Sequence, residues 1–265
     1  MKKGFTLAEV LMTLGIIGMI AAMTIPAMIH TTNKKATIEQ LKKTSSALNH
    51  AVYNGVVANG DMSSWNWIQT DAALAIMQNV ISPNLNVSFK CSGDVEGLSK
   101  HCRYTVSSID GKDMDIAKDF NTKTKALLSD GSLVAFTDTF AEDEEDGEDG
   151  SGSGSGTGSG SGSGDDDDTA GKIGKCGYGV DPRTLCGVFL VDVNGSQKPN
   201  VVGKDVFFFG LYMSGSVLPY GANEGDEFIN ENCSKGSNGR TCAAKLVSGG
   251  WDACYNCTNP YPVWF

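Results

Sequence analysis

The chain has 265 residues, room for one medium domain or two small ones, and its 40% apolar content is ordinary for a protein with a packed core. Its net charge of −10 is local: eleven of the 31 acids lie between Glu142 and Asp168 with no Lys or Arg among them, and the other 20 acids stand against 21 bases. No basic patch with interleaved aromatics occurs, which argues against nucleic-acid binding, and His30, His50 and His101 stand apart from any nucleophile with an orienting acid, so no catalytic residue is assigned and an enzyme is not expected.

The chain opens Met1-Lys2-Lys3-Gly4 and then runs from Phe5 to Ile29 with Glu9 as its single charge. As a helix these residues extend about 37 Å, enough to cross a hydrocarbon core with tilt. The two lysines ahead of the run place its N-terminus in the cytoplasm by the positive-inside rule, and the remainder of the chain outside. A secretory signal peptide has a shorter apolar region, no carboxylate inside it and a small-residue cleavage site, so it fits less well. Glu9 is the informative residue, because a carboxylate in lipid is costly unless paired or neutralised. A cut after Gly4 creates an amine at Phe5, within one helical turn of Glu9.

The segment Lys2-Lys3-Gly4-Phe5-Thr6-Leu7-Ala8-Glu9-Val10 resembles the class III signal peptide of type IV pilins and type II secretion pseudopilins. The resemblance is specific over the first 60 residues and loose beyond them. It implies cleavage by prepilin peptidase between Gly4 and Phe5, N-methylation of Phe5, and pairing of Glu9 with the Phe5 amine of an adjacent subunit. The implied partners are other pilin or pseudopilin subunits, in a pilus or a secretion pseudopilus, after residence in the bacterial inner membrane. Pro26 is expected to kink or locally melt the helix over Ala22–Pro26, since proline removes a helical hydrogen bond. In filaments of this family the corresponding stretch can unwind. Gly and Pro are also simply common in membrane helices.

Beyond Ile29, the residues Ile38, Leu41, Ser45, Leu48, Val52 and Val56 recur at three/four spacing, the stripe of an amphipathic helix, with Asn59-Gly60 as its stop. Residues 5–29 and 30–59 thus read as the membrane and head-facing halves of one helix of about 80 Å. Residues 1–4 form the leader, 60–141 the first part of a head, 142–171 an insert, and 172–265 the second part. A short helix is expected over Thr70–Asn79, ending before Pro83. Strands are expected on either side of Asp130-Gly131, a type I′ hairpin signal, over Cys186–Asn194, and in a hairpin joining Asp205–Met213 to Gly215–Pro219. About four antiparallel strands laid on the helix give an α+β architecture, which the resemblance makes a pilin fold.

The insert combines an acidic run, seven Ser/Thr-Gly pairs from Ser151 to Gly164, and four aspartates. It buries too little apolar surface to order itself and reads as a solvated loop spanning roughly 30 Å. Asp192, Asn194 and Asp205 cluster oxygen ligands that suit calcium, yet an Asn-Gly turn followed by a Pro-Asn turn explains them equally well. No other cofactor is expected. All eight cysteines follow residue 90, as Cys91/Cys102, Cys176/Cys186, Cys233/Cys242 and Cys254/Cys257. Their even number suggests disulfides in an oxidising compartment, though the connectivity stays open. Cys254 and Cys257 also have the spacing of zinc ligands, without the second pair that a structural site needs. A monomeric, single-pass membrane-anchored surface domain is the alternative to a filament subunit.

Overall fold

A computed structural model describes residues 4, 6–67, 71–91, 102, 105–114, 124–138 and 176–251, with the backbone alone over 26–32. Its spine is α1, Leu7–Asn59, 53 residues long, or about 80 Å. Gly60 ends it with φ +86 and donates its N–H to the Val56 carbonyl, the left-handed stop that glycine adopts without penalty. The backbone stays helical across Pro26, so the melting expected near Ala22–Pro26 is not seen.

The second half of α1 buries Ile38, Leu41, Thr44, Leu48, Ala51 and Val52 and leaves Tyr53 and Val57 exposed. The expected stripe is therefore the buried face, with Thr44 rather than Ser45 at its centre. Thr44 belongs there because its Oγ1 returns a hydrogen bond to the Gln40 carbonyl at 3.0 Å, which satisfies a hydroxyl placed against the core.

Six strands form one antiparallel sheet in the order β1-β4-β5-β6-β7-β8. They are β1 Val87–Lys90, β4 Lys125–Leu128, β5 Leu133–Thr137, β6 Leu185–Asp192, β7 Val206–Tyr212 and β8 Val217–Pro219. Between β1 and β4, β2 Val106–Ser107 and β3 Asp113–Met114 pair separately. The sheet has six strands where about four were expected, and the strand not foreseen is β1. Edge strand β1 has one half-buried and three exposed residues, so no apolar alternation marks it. The hairpin at Asp130-Gly131 is also not type I′. Gly131 N–H bonds the Leu128 carbonyl at 3.0 Å and Leu128 N–H bonds Ser132, with Gly131 alone at positive φ. That is a three-residue loop closed by a left-handed glycine.

Every residue of β5, β6 and β7 is buried, so the sheet has a core on each face. Phe136, Phe189, Phe207 and Phe209 face one cluster with Leu41 and Leu48 of α1. Phe136 and Phe189 pack with centroids 4.7 Å apart. Leu133, Leu190, Val206 and Phe208 face the other, beneath Val106 and Val202. The helix expected over Thr70–Asn79 appears as α2, Ala72–Ile76, continued by a π-turn over Met77–Ile81. It rests on α1, where Gly55 gives the room: a Cβ there collides with the Val80 side chain.

Two short helices, α3 Asp226–Glu231 and α4 Cys242–Ser248, follow β8. At that edge the Asn49 side chain of α1 donates to the Val217 carbonyl at 2.9 Å and accepts from the Val217 N–H at 3.1 Å. One amide thus occupies both outward backbone groups of an edge residue. Disulfides join Cys91–Cys102, Cys176–Cys186 and Cys233–Cys242 with Cα separations of 5.8, 5.5 and 5.0 Å. The pairs nearest in sequence are therefore the bonded ones. Cys254 and Cys257, the insert 142–171 and the tail 252–265 lie outside the described residues.

The sheet has a definite orientation along α1. The Asp130 turn sits against the helix middle, with Lys43 Nζ 3.0 Å from the Asp130 carboxylate and Gln40 donating to the Asp130 carbonyl. Leu133 pairs with Asp192 at this end, whereas Thr137 pairs with Val188 at the other. There the β7–β8 turn reaches the end of α1, Gly215 lying beside Val56. Asp138 and Cys176, which flank the insert, are consequently at the end of the sheet remote from the apolar span.

Candidate functional sites

The first site is the start of α1. Thr6 caps the helix: its side chain accepts from Glu9 N–H at 3.3 Å, and Glu9 Oε2 accepts from both the Thr6 N–H and the Thr6 hydroxyl at 2.8 Å. This reciprocal capping box follows from Thr-x-x-Glu, with Glu9 at the third helical position and also on the favourable side of the helix dipole. The Thr6–Glu9 spacing was legible in the sequence, but Thr6 was not singled out there. Glu9 Oε1 has no hydrogen bond among the described residues. Gly4 is exposed, while Phe5 lies outside the described residues.

From Leu7 to Ile25 the helix is apolar, with mean hydropathy 2.0, and none of it is buried. Leu7, Met12, Met19 and Met23 are 80%, 70%, 64% and 75% exposed. A single helix of this length and composition suits a membrane anchor, and one near the N-terminus also suits a signal sequence. So large an apolar surface is not a soluble surface and calls for lipid or protein around it.

The second site is the 192–205 loop, where the three residues expected as calcium ligands do come together. Asp205 Oδ1 accepts from Val201 N–H at 2.7 Å, and Oδ2 accepts from Asn200 N–H at 2.8 Å and from Asn194 Nδ2 at 3.2 Å. Asp192 Oδ1 accepts from Asn194 N–H at 3.2 Å. Asp205 is therefore a clasp across the loop, holding two backbone amides whose residues follow the cis Lys198–Pro199 bond, with Asn200 at φ 49. Burial pushes its carboxyl above the usual carboxylate range against the opposing effect of the Val201, Asn200 and Asn194 donors. Each Asp205 oxygen already faces a donor from the loop itself. Among the described residues no group of three or more His, Cys, Asp or Glu is placed to hold a metal.

Sequence reasoning missed a third feature. A cleft of about 530 Å³ opens between Asn33–Gln40 of α1 and this loop, lined among others by Lys34, Asn194, Gln197, Lys198, Lys204 and Asp205. Its lysines come from segments 160 residues and more apart, so no local motif announces them.

No protein-family model matches the chain, and neither the curated proteins nor the solved structures yield a match.

Proposed function

We propose that the chain is a type IV pilin-like subunit, non-enzymatic and structural, with a pilin fold. It is made as an inner-membrane precursor with its N-terminus in the cytoplasm, processed between Gly4 and Phe5 by prepilin peptidase, and assembled through α1 into a pilus or a secretion pseudopilus. Its length and insert favour a minor or specialised subunit.

The observation that carries this reading is one uninterrupted helix with two different surfaces. Its first half is apolar with no buried residue from Leu7 to Ile25, and its second half contributes Ile38, Leu41, Leu48, Ala51 and Val52 to the core of the head. In the membrane, lipid covers the first half; in a filament, the same half of neighbouring subunits covers it. The capping box adds chemical support. Thr6 and Glu9 both lie downstream of the proposed cut, so processing leaves their bonds in place, and Glu9 Oε1 is open to a second donor. The methylated Phe5 amine of the next subunit is a donor of the right charge, and in an apolar bundle its pairing with a carboxylate answers the cost of both charges.

The mature N-terminus tests the proposal. Mass spectrometry of the chain from its producing cell is expected to show loss of Met1–Gly4 and one added methyl group on Phe5. Glu9→Ala is expected to insert normally in the membrane and to lose filament incorporation. An intact Met1 terminus, or normal incorporation of Glu9→Ala, sinks the filament reading and leaves a monomeric anchored surface domain.

A further inference from the structure

We infer that the cleft between α1 and the 193–205 loop seats the headgroup of an anionic, glycerol-bearing phospholipid of the membrane that α1 enters. The inference rests on the proposed membrane placement of α1 and assigns a ligand to a part of the head that placement leaves unused.

Position is the first ground. Asn33, where the cleft begins, follows Ile29, the last residue of the apolar run, by four residues. Four residues are about 6 Å of helix axis. The headgroup layer of each leaflet is roughly 5–7 Å thick, so the cleft opens at the level where lipid phosphates lie.

Charge is the second. Lys34 from the helix and Lys198 and Lys204 from the loop line the cleft, and none of the three is ion-paired among the described residues. By contrast, Lys42 and Lys43, a little over two turns beyond Lys34, are held by Glu39 and Asp130. The single acid lining the cleft, Asp205, has both oxygens engaged by the loop. Three unpaired ammonium groups against one occupied carboxylate leave a net positive cavity, and its volume of about 530 Å³ falls within the usual range of small-molecule sites, roughly 300–1,000 Å³.

The third ground is an orphaned acceptor. Asn194 lines the cleft, and its Oδ1 is buried with no hydrogen-bond partner among the described residues. Its orientation is fixed, because Nδ2 donates to Asp205 and turning the amide over would set oxygen against carboxylate. A buried acceptor without a donor is costly. A phosphate satisfies the lysines but offers Asn194 nothing; a headgroup glycerol supplies a hydroxyl donor alongside the phosphate. Asp138 and Cys176, between which the acidic insert lies, are at the opposite end of the sheet from the cleft.

The test uses the full chain in nanodiscs of equimolar phosphatidylglycerol and phosphatidylcholine, with the lipids that stay bound counted by native mass spectrometry. Phosphatidylglycerol is expected to be retained over phosphatidylcholine by tenfold or more, and each lysine changed to Gln at 34, 198 or 204 to lower that ratio about fivefold. Lys90→Gln, on β1, is expected to leave it unchanged. Replacing phosphatidylglycerol with phosphatidic acid, which has the phosphate and no headgroup hydroxyl, is expected to weaken retention in the wild type and to make no difference in Asn194→Ala. The lysines reach solvent, so their single Gln variants are expected to fold, and the exposed Lys198→Gln serves if Lys34→Gln or Lys204→Gln is poorly folded. Equal retention of the two lipids overturns the inference, as does a ratio indifferent to all three lysines. Stripping of the lipid by millimolar glycerol phosphate overturns the membrane source in favour of a soluble phosphate. Failure of the chain to enter the nanodisc overturns the anchor and this inference together, whereas entry without lipid preference overturns this inference alone.

Discussion

Among the described residues Lys125 is a buried cation without an anion, and replacing it with methionine is expected to stabilise the head. It sits on β4 between β1 and β5, 7% exposed, and among the described residues its Nζ reaches only the Cys102 carbonyl at 3.5 Å, the outer limit of a hydrogen bond. Burial holds its pKa below the ordinary lysine value of 10.5. Methionine keeps the unbranched stem and nearly the same volume, and volume-conserving core exchanges cost under about 1.5 kcal/mol. What disappears is the desolvation of a poorly compensated ammonium, so the net gain near pH 6 is about 1–2 kcal/mol, or roughly 3–8 °C in midpoint for a head of this size. The pH dependence has a definite sign. With the folded pKa depressed, the unfolded chain binds more protons between that value and 10.5, so wild-type stability rises with pH across the interval. The variant lacks this rise, and its advantage shrinks as pH increases. Thermal unfolding of the detergent-solubilised chain, followed by near-ultraviolet circular dichroism at pH 6 and at the upper end of that interval, pH 10.5, reads both effects. A destabilised Lys125→Met, or a gain equal at the two pH values, refutes the reasoning.

Two further outcomes follow from the same packing. Leu48→Ala removes a fully buried side chain between α1 and the sheet and is expected to cost about 3–4 kcal/mol, whereas Tyr53→Ala, 65% exposed on the same helix, is expected to stay within about 0.5 kcal/mol; denaturant midpoints of the two variants compare them directly. Asp205→Ala strips the acceptor from the Val201 and Asn200 amides and is expected to cost about 1–3 kcal/mol, the relieved burial of the carboxylate offsetting part. If the loop is held by this clasp, millimolar calcium leaves the wild-type midpoint unchanged; a calcium-dependent rise that Asp205→Ala abolishes assigns Asp205 to an ion instead.

Much of the spine was legible because its signals are local and redundant. The apolar run, the three/four stripe through Leu41 and Leu48, and Asn59-Gly60 each depend on neighbours within a few residues. Strands β5 to β7 were equally plain as dense apolar runs. Strand β1 was not, because an edge strand with exposed Ser88, Phe89 and Lys90 has no periodicity to read and is defined by its partner β4. The turn at Asp130 was misjudged in type for a related reason: Asp-Gly suits two loop lengths, and the pairing of Leu128 with Ser132 decides between them. Thr6 illustrates a signal present but overshadowed by Glu9. Asp192, Asn194 and Asp205 were found by type, yet the role of Asp205 emerged only when the Val201 and Asn200 amides turned toward it. Nothing in the sequence brings Lys34 to Lys204.

The strand ends at Thr137 and Leu185 carry a practical consequence. The chain leaves the sheet after β5 and re-enters before β6 at the pole farthest from the apolar span, with the Cys176–Cys186 bond fastening the returning segment to β6. Closing a longer excursion between two already fixed points adds little entropy cost. A foreign epitope or enzyme tag grafted between Asp138 and Cys176 is thus tethered at the pole of the sheet opposite both the hydrophobic stem and the lysine-lined cleft.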